Sequence, residues 1–374
     1  MYIISPEVVA YSISFFYGTA LYAIQLLIPF YLHSQGFSAW EIGIIVAAPN
    51  LLRLLVHPFA GAISDRIGER NALMGSFMAI TVAALCFSRF SSLESIFAIQ
   101  LLLMGISRAL YYPAIHSYSS RISEAKTPYI FGRLNSLFGA GQMVGLGSSG
   151  YLIMLSGFER SFLFSAMVGG LIVFLSLLMP GIPRKKEFIG VVEMAKKLVR
   201  VAKIKQIFAG TYCGFAAAIP FVLLSSFYPV YLENEGLTKG LIGVLSAGYT
   251  IGFILLGFVI GELLKRFGFR NLATCSLILM GWAMLLIITF PSFNVLLPVL
   301  LLLGISTAGP YLSIALSSYG FSVSFLIVPL ITGLLVDQLG MGQMLLAVAF
   351  FVLILGMLVH CIFNRLGVYN YWAM

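Results

Sequence analysis

Charge is scarce in this chain. Of 374 residues only 9% are charged, and 13 are acidic. A soluble domain carries roughly a quarter charged residues, because a fold in water must cover its exterior with polar groups. With 60% apolar residues and a mean hydropathy of +1.02, this chain has too few. A cytosolic enzyme, a nucleic-acid-binding domain and a disordered chain are excluded. Cysteine is scarce as well. Cys86, Cys213, Cys275 and Cys361 lie far apart inside apolar runs, with no CxxC pair. A disulfide scaffold is excluded, and packing is the default role of each thiol. No carboxylates, histidines or nucleophile cluster at one depth, so neither an enzyme nor a bound metal or cofactor is expected.

Long apolar runs are abundant. A bilayer core needs about 20 apolar residues per helix. Such spans fall near 8–32, 40–63, 71–90, 93–116, 129–155 and 160–181, then near 206–232, 239–263, 271–290, 293–313, 316–337 and 342–364. The runs are continuous rather than alternating, which excludes barrel strands. The first has no basic flank and is too long for a signal-peptide core, so it reads as a retained span. The expectation is an all-α membrane protein of twelve transmembrane helices in two six-helix bundles. Residues 1–181 form the N-terminal bundle, 182–205 a charged linker, and 206–374 the C-terminal bundle. In the linker, Val191, Ala195, Leu198 and Ala202 share helical spacing, with lysines and Arg200 on other faces. That suits an amphipathic helix on the anionic inner leaflet, and equally a solvated linker.

The net charge of +9 does not require a nucleic-acid partner. One set of loops, including Arg66, Arg70, Arg121, Arg133, the linker and Arg266, holds seventeen lysines and arginines, and the other set holds three. This asymmetry places both termini in the cytoplasm of a multi-pass cell-membrane protein.

The halves repeat. At an offset of 200, Pro29, Tyr31 and Leu32 fall on Pro229, Tyr231 and Leu232, and Arg66, Gly68, Arg70 and Asn71 fall on Arg266, Gly268, Arg270 and Asn271. From 29 to 71 there are 13 identities in 43 positions. Gly105-Ile106-Ser107 matches Gly304-Ile305-Ser306. Two copies of six spans in one orientation imply a pseudo-two-fold axis along the membrane normal. After the second span stands Gly61-Ala62-Ile63-Ser64-Asp65-Arg66-Ile67-Gly68-Glu69-Arg70-Asn71. This resembles the signature G-x-x-x-D-[RK]-x-G-x-[RK]-[RK] of the major facilitator superfamily, and only its last basic position differs. The resemblance implies a carrier in which Gly61, Asp65, Arg66, Gly68 and Arg70 belong to a cytoplasmic gate. Gly141 to Gly150 is similar in part to a fifth-span pattern of that family's antiporters, GxxxGPxxGG, with Leu146 in place of the proline. One departure is large. From Gly105 to Gly150 there are 45 positions, and from Gly304 to Gly333 only 29.

Carriers of this kind bind solutes near the midplane, where charge is costly and normally functional. Arg53, Arg108, Gln142 and Tyr22 lie within roughly 8 Å of one level when counted at 1.5 Å per residue. Tyr22 and Gln25 continue a polar stripe along the first span with Tyr11, Ser14 and Gly18. All 13 acids fall at span ends or in loops, so neither arginine has a carboxylate at its depth. A guanidinium stays charged. An anionic solute is therefore expected at Arg108 with Arg53, alongside Tyr22, Gln25, Gln142, Tyr112 and Tyr311. His57, one turn from Arg53, is the candidate for a coupling proton. The expected activity is secondary active transport of a small organic anion by alternating access, by a monomer. Proton-coupled efflux of drugs or hydrophobic compounds, sugar uptake, and solute sensing without transport stay open.

Overall fold

The computed structural model describes residues 5–122, 127–180, 205–312 and 317–366. The expected linker helix lies outside them. In lipid every backbone N–H and C=O must find its partner inside the protein, and a helix achieves this within one segment. Among the described residues the fold is accordingly helical throughout, with no strand. The first half comprises α1 (Pro6–Ser34), α2 (Ala39–Ile67), α3 (Glu69–Phe87), α4 (Leu93–Ala98), a π-helical turn (Ile99–Met104), α5 (Gly105–Ile122) and α6 (Thr127–Leu177). The second comprises α7 (Lys205–Leu224), α8 (Tyr228–Asn234), α9 (Lys239–Thr289), α10 (Phe293–Leu312), α11 (Ser317–Leu339) and α12 (Met341–Leu366).

Ten stretches among the described residues are long and apolar enough to cross a membrane. Large apolar side chains stand in the open on their flanks, with Leu155 83% and Phe258 76% exposed, as a lipid solvent allows. Two helices, α6 and α9, each run for 51 residues. At 1.5 Å per residue each would measure about 77 Å, more than twice the roughly 30 Å apolar core of a bilayer. Each is interrupted by a single glycine, Gly157 (φ 76°) in α6 and Gly268 (φ 72°) in α9.

These glycines belong to a pattern that repeats. Among the described residues, all positive-φ positions are glycine: Gly36, Gly68, Gly157, Gly236, Gly268 and Gly340. Gly36 and Gly68 pair with Gly236 and Gly268 at the offset of 200 seen in the sequence. Gly157 pairs with Gly340 at an offset of 183, the same offset that relates Gly150 to Gly333. The chain turns at the same places in both copies, using the one residue without a Cβ to resist the left-handed region.

The shortened region of the second half does not cost it a span. Phe293–Pro310 and Gly320–Leu339 both qualify as crossings. The expected span over 206–232 also stands as one crossing, Phe208–Asn234, but its helix is interrupted. It breaks into α7 and α8 at residues 225–227. Pro229 lacks an N–H, and its ring crowds the carbonyl four residues back, that of Ser225. The Ser225 and Ser226 hydroxyls bond back to the Phe221 and Val222 carbonyls and satisfy acceptors at the break. Pro29 sits at the matching place in the first half, yet α1 runs through it.

The described residues form two compact units. One contains α1 up to Ile28 and the chain from Ala48 through α6, and the other contains Pro29–Ala47 with α7 to α12. The turn of the α1–α2 hairpin thus belongs to the second unit. In the first unit α1 is the central helix, and in the second α7–α8 is, with 89% and 94% of their most apolar stretches buried.

The turn glycines are testable by a matched pair of variants. Gly268→Ala places a Cβ in the left-handed region and should cost about 1–2 kcal/mol. Gly261→Ala, in the same helix with open space around it, should be neutral or stabilising by up to about 1 kcal/mol. Melting temperatures of the two proteins in detergent report the difference.

Candidate functional site

The polar groups of the first unit converge at Arg108. The residue is 8% exposed, and Nη2 donates to Gln25 Oε1 of α1 at 3.2 Å. Among the described residues the Arg108 Nε and the Gln25 Nε2 are buried without a hydrogen-bond partner. Arg53 of α2 sets its guanidinium carbon 5.3 Å from the ring centre of Tyr112, a cation–π distance. Its Nε is likewise buried and unpartnered. Tyr112 and Tyr22 both meet the ring of Phe138 on α6 edge-on, at 5.7 and 5.8 Å. The structure thus brings Gln25 to Arg108, Arg53 to Tyr112, and Tyr22 and Tyr112 to the same ring of Phe138.

Behind them lies a rigid support. Tyr17 and Tyr111 stack at 3.8 Å, and both are almost fully buried. The Tyr111 hydroxyl donates to Ser14 Oγ at 3.0 Å, Tyr17 Oη and Ser107 Oγ lie 3.0 Å apart, and Ser76 Oγ donates to the Ser107 carbonyl at 2.8 Å. These bonds tie α1, α3 and α5 together at the residue next to Arg108. On the other side α6 approaches α1 backbone to backbone. A Cβ at Gly141 or Gly145 would collide with the Phe15 or Thr19 carbonyl. The small residues of the partial fifth-span pattern are close-approach positions here, and they bring Gln142 alongside Gly18.

Among the described residues no carboxylate pairs with Arg53 or Arg108. A neutral amide eases the desolvation of a guanidinium, by roughly 1.5–3 kcal/mol for a bond to a charged group. It cannot cancel the charge. Positive charge with unused donors, lined by aromatic faces, is chemistry suited to a carboxylate or phosphate on an aromatic or apolar body.

Asn50 is a residue that the sequence reading missed. It lies one turn from Arg53 on α2, is completely buried, and has no partner for either amide atom among the described residues. Buried amides are normally paired. The available signal was an asparagine three positions before an arginine inside an apolar run.

At the end of the first unit that carries Arg70, Gly68 makes the expected turn (φ 98°). Arg66 is exposed, and Arg70 donates to the Leu177 carbonyl at 2.8 Å. Glu69, a variable position of the motif, is the buried member. It pairs with Arg121 at 2.8 Å and accepts from Ser117 at 3.0 Å. Gly61 and the side chains of Asp65, His57 and Tyr311 lie outside what the structure describes.

The Major Facilitator Superfamily family pattern matches residues 10–318. The chain belongs to this superfamily. It is a multi-pass membrane transport protein. Multidrug resistance protein 1 of Bacillus subtilis (strain 168) is 26% identical over 292 residues, covering 74% of this chain and 72% of that protein. Quinolone resistance protein NorA of Staphylococcus aureus (strain COL) is 20% identical over 310 residues, 82% of this chain and 75% of its own. NorA of strain MSSA476 aligns over 56% of this chain and 54% of its own length. In fold the chain is similar to the nucleoside transporter NupG, with a TM-score of 0.77 at 13% identity over 96% of this chain and 100% of that one. It is also similar to a POT family transporter in complex with 5-aminolevulinic acid, with a TM-score of 0.75 at 14% identity over 96% of both chains.

The unpaired amide generates a prediction for this superfamily member. Asn50→Leu, close in volume, removes two buried unsatisfied polar atoms. In the absence of ligand it should raise stability by about 1–3 kcal/mol, read as a higher melting temperature. A lower melting temperature would mean that the amide is already paired.

Proposed function

We propose that this transporter is a secondary active carrier for small organic anions with an aromatic or apolar body, held in the first unit by Arg108 and Arg53. The observation that carries the reading is Arg108. Its guanidinium is buried, bonded to a neutral amide, and has no carboxylate partner among the described residues. Gln25, Asn50 and Gln142 supply further polar contacts, and Tyr22 and Tyr112 supply ring faces. Tyr311 is the candidate contribution from the second half. Transport proceeds by alternating access of two six-helix bundles, residues 1–181 and 206–374, joined by the 182–205 linker. The chain crosses the membrane twelve times, because the long helices broken at Gly157 and Gly268 each make two crossings. Both termini are cytoplasmic, in the cell membrane of a monomeric carrier. His57 is the coupling-proton candidate.

The sequence relatives favour a second reading, efflux of drug-like compounds. Their names are those of resistance proteins, and the Tyr22–Tyr112–Phe138 rings suit flat hydrophobic molecules. The readings meet in one compound class, amphipathic aromatics with an acidic group.

Ligand-dependent melting of the detergent-purified protein separates them. Organic anions, neutral sugars and lipophilic cations are compared on the parent, Arg108→Gln and Arg53→Gln. An anion at a hundred times its Kd should add about 2.7 kcal/mol to the parent and nothing to Arg108→Gln. Stabilisation by cations irrespective of Arg108 would instead establish the efflux reading for cationic drugs and make Arg108 structural.

A further inference from the structure

The start of α2 is capped from a distance. A helix leaves its first N–H groups without intrahelical partners. Here four in succession are satisfied by carboxylates and a hydroxyl. Ser38 N donates to Glu41 Oε2 at 2.8 Å, and Glu41 N donates to Ser38 Oγ at 3.3 Å. This is a capping box built from neighbours. The two amides between them go elsewhere. Ala39 N donates to Asp337 Oδ1 at 3.0 Å, and Trp40 N donates to Asp337 Oδ2 at 2.9 Å. Asp337 stands near the end of α11, 297 positions along the chain from Trp40. One carboxylate therefore grips the positive end of α2 with both oxygens.

Beneath this grip the two helices touch through glycine. The Gly43 Cα–H faces the Pro329 carbonyl so closely that a Cβ would not fit. A Cβ at Gly333 would lie 2.7 Å from the Ala39 carbonyl oxygen. At these two glycines the contact is backbone against backbone. The grip itself is exposed, so water can replace it.

Two further observations separate this contact from the general scaffold. It is not repeated. At the offset of 183 that relates Gly157 to Gly340, Asp337 corresponds to Met154, and Glu41 corresponds to Leu241 at 200. It also sits where the chain changes allegiance: Pro29–Ala47 belongs to the second unit, while the rest of α1 and α2 belongs to the first.

We propose that Asp337 is a latch, holding the turn between α1 and α2 within the second unit, and that this turn must be released for the transporter to open on that side. Asp337 is a positioning residue. It acts through α2 and has no part in holding the solute. Because the latch is independent of solute chemistry, it stands or falls apart from the anion reading.

The test is a spin-label distance measurement on the full chain, with the native cysteines replaced by serine. Labels are carried at Gln35→Cys and Leu339→Cys, both exposed positions flanking the contact. The parent should give one short distance. Asp337→Asn, which keeps the shape and loses the charge, should add a second, longer population. Asp337→Glu should retain the short one. Gly333→Ala forces the backbones apart without touching the carboxylate, so it too should add the longer population, and it carries the test alone if Asp337→Asn does not fold. A single short distance in both Asp337→Asn and Gly333→Ala overturns the latch. Equal broadening in Asp337→Glu and Asp337→Asn overturns it as well, because the carboxylate would then not be the holding group.

Discussion

A buried guanidinium with no carboxylate partner among the described residues is the constraint around which the first unit is organised. Placing an arginine at the centre of a membrane helix costs about 2.5–3.5 kcal/mol on insertion scales, and more by other accounts. The protein meets this with the Gln25 oxygen and, for Arg53, with the face of Tyr112. Neither neutralises the charge. The serine and tyrosine bonds among Ser14, Tyr17, Ser76, Ser107 and Tyr111 then have a clear purpose. They tie α5 to α1 and α3 at the residues beside Arg108.

The second unit lacks any counterpart of that chemistry. Arg53 corresponds to Phe253, Arg108 to Thr307 and Gln25 to Ser225. What both copies keep is the backbone, with three turns per half at paired glycines and one deeply buried central helix each. Geometry is shared and chemistry is one-sided. Where α1 offers Gln25 to Arg108, the second copy has the break that separates α7 from α8. The same register thus serves polar recognition in one half and helix interruption in the other.

Much of this was legible in the chain itself. Span positions follow from continuous apolar runs, the turn at Gly68 from its motif, and the grouping of Tyr22, Arg53, Arg108 and Gln142 as candidates from counting residues along helices. The unread parts share one cause, which is that they depend on partners distant in sequence. Pro29 and Pro229 look alike locally, yet only one interrupts its helix. Glu69 reads as a variable motif position until Arg121 is brought to it. Asp337 reads as an ordinary acid at a span end, and only the fold shows which helix it caps.

The π-helical turn at Ile99–Met104 bears on how Arg108 is aimed. Ser92 and Ser292 stand before the paired helices at an offset of 200, each accepting from the amide four residues on, whereas Gly105 and Gly304 stand at 199. The first copy therefore holds one extra residue in that short interval, and the π turn lies within it, while α10 is α-helical there. One residue of an α-helix is about 100° of rotation. Had the insertion not been absorbed as a wide turn, the helix beyond it would have been swung by that angle and its basic side chain carried away from α1. Length variation in this segment is thus a rotational setting for the guanidinium, and a chain that lost the extra residue would point the same amino acid at a different environment.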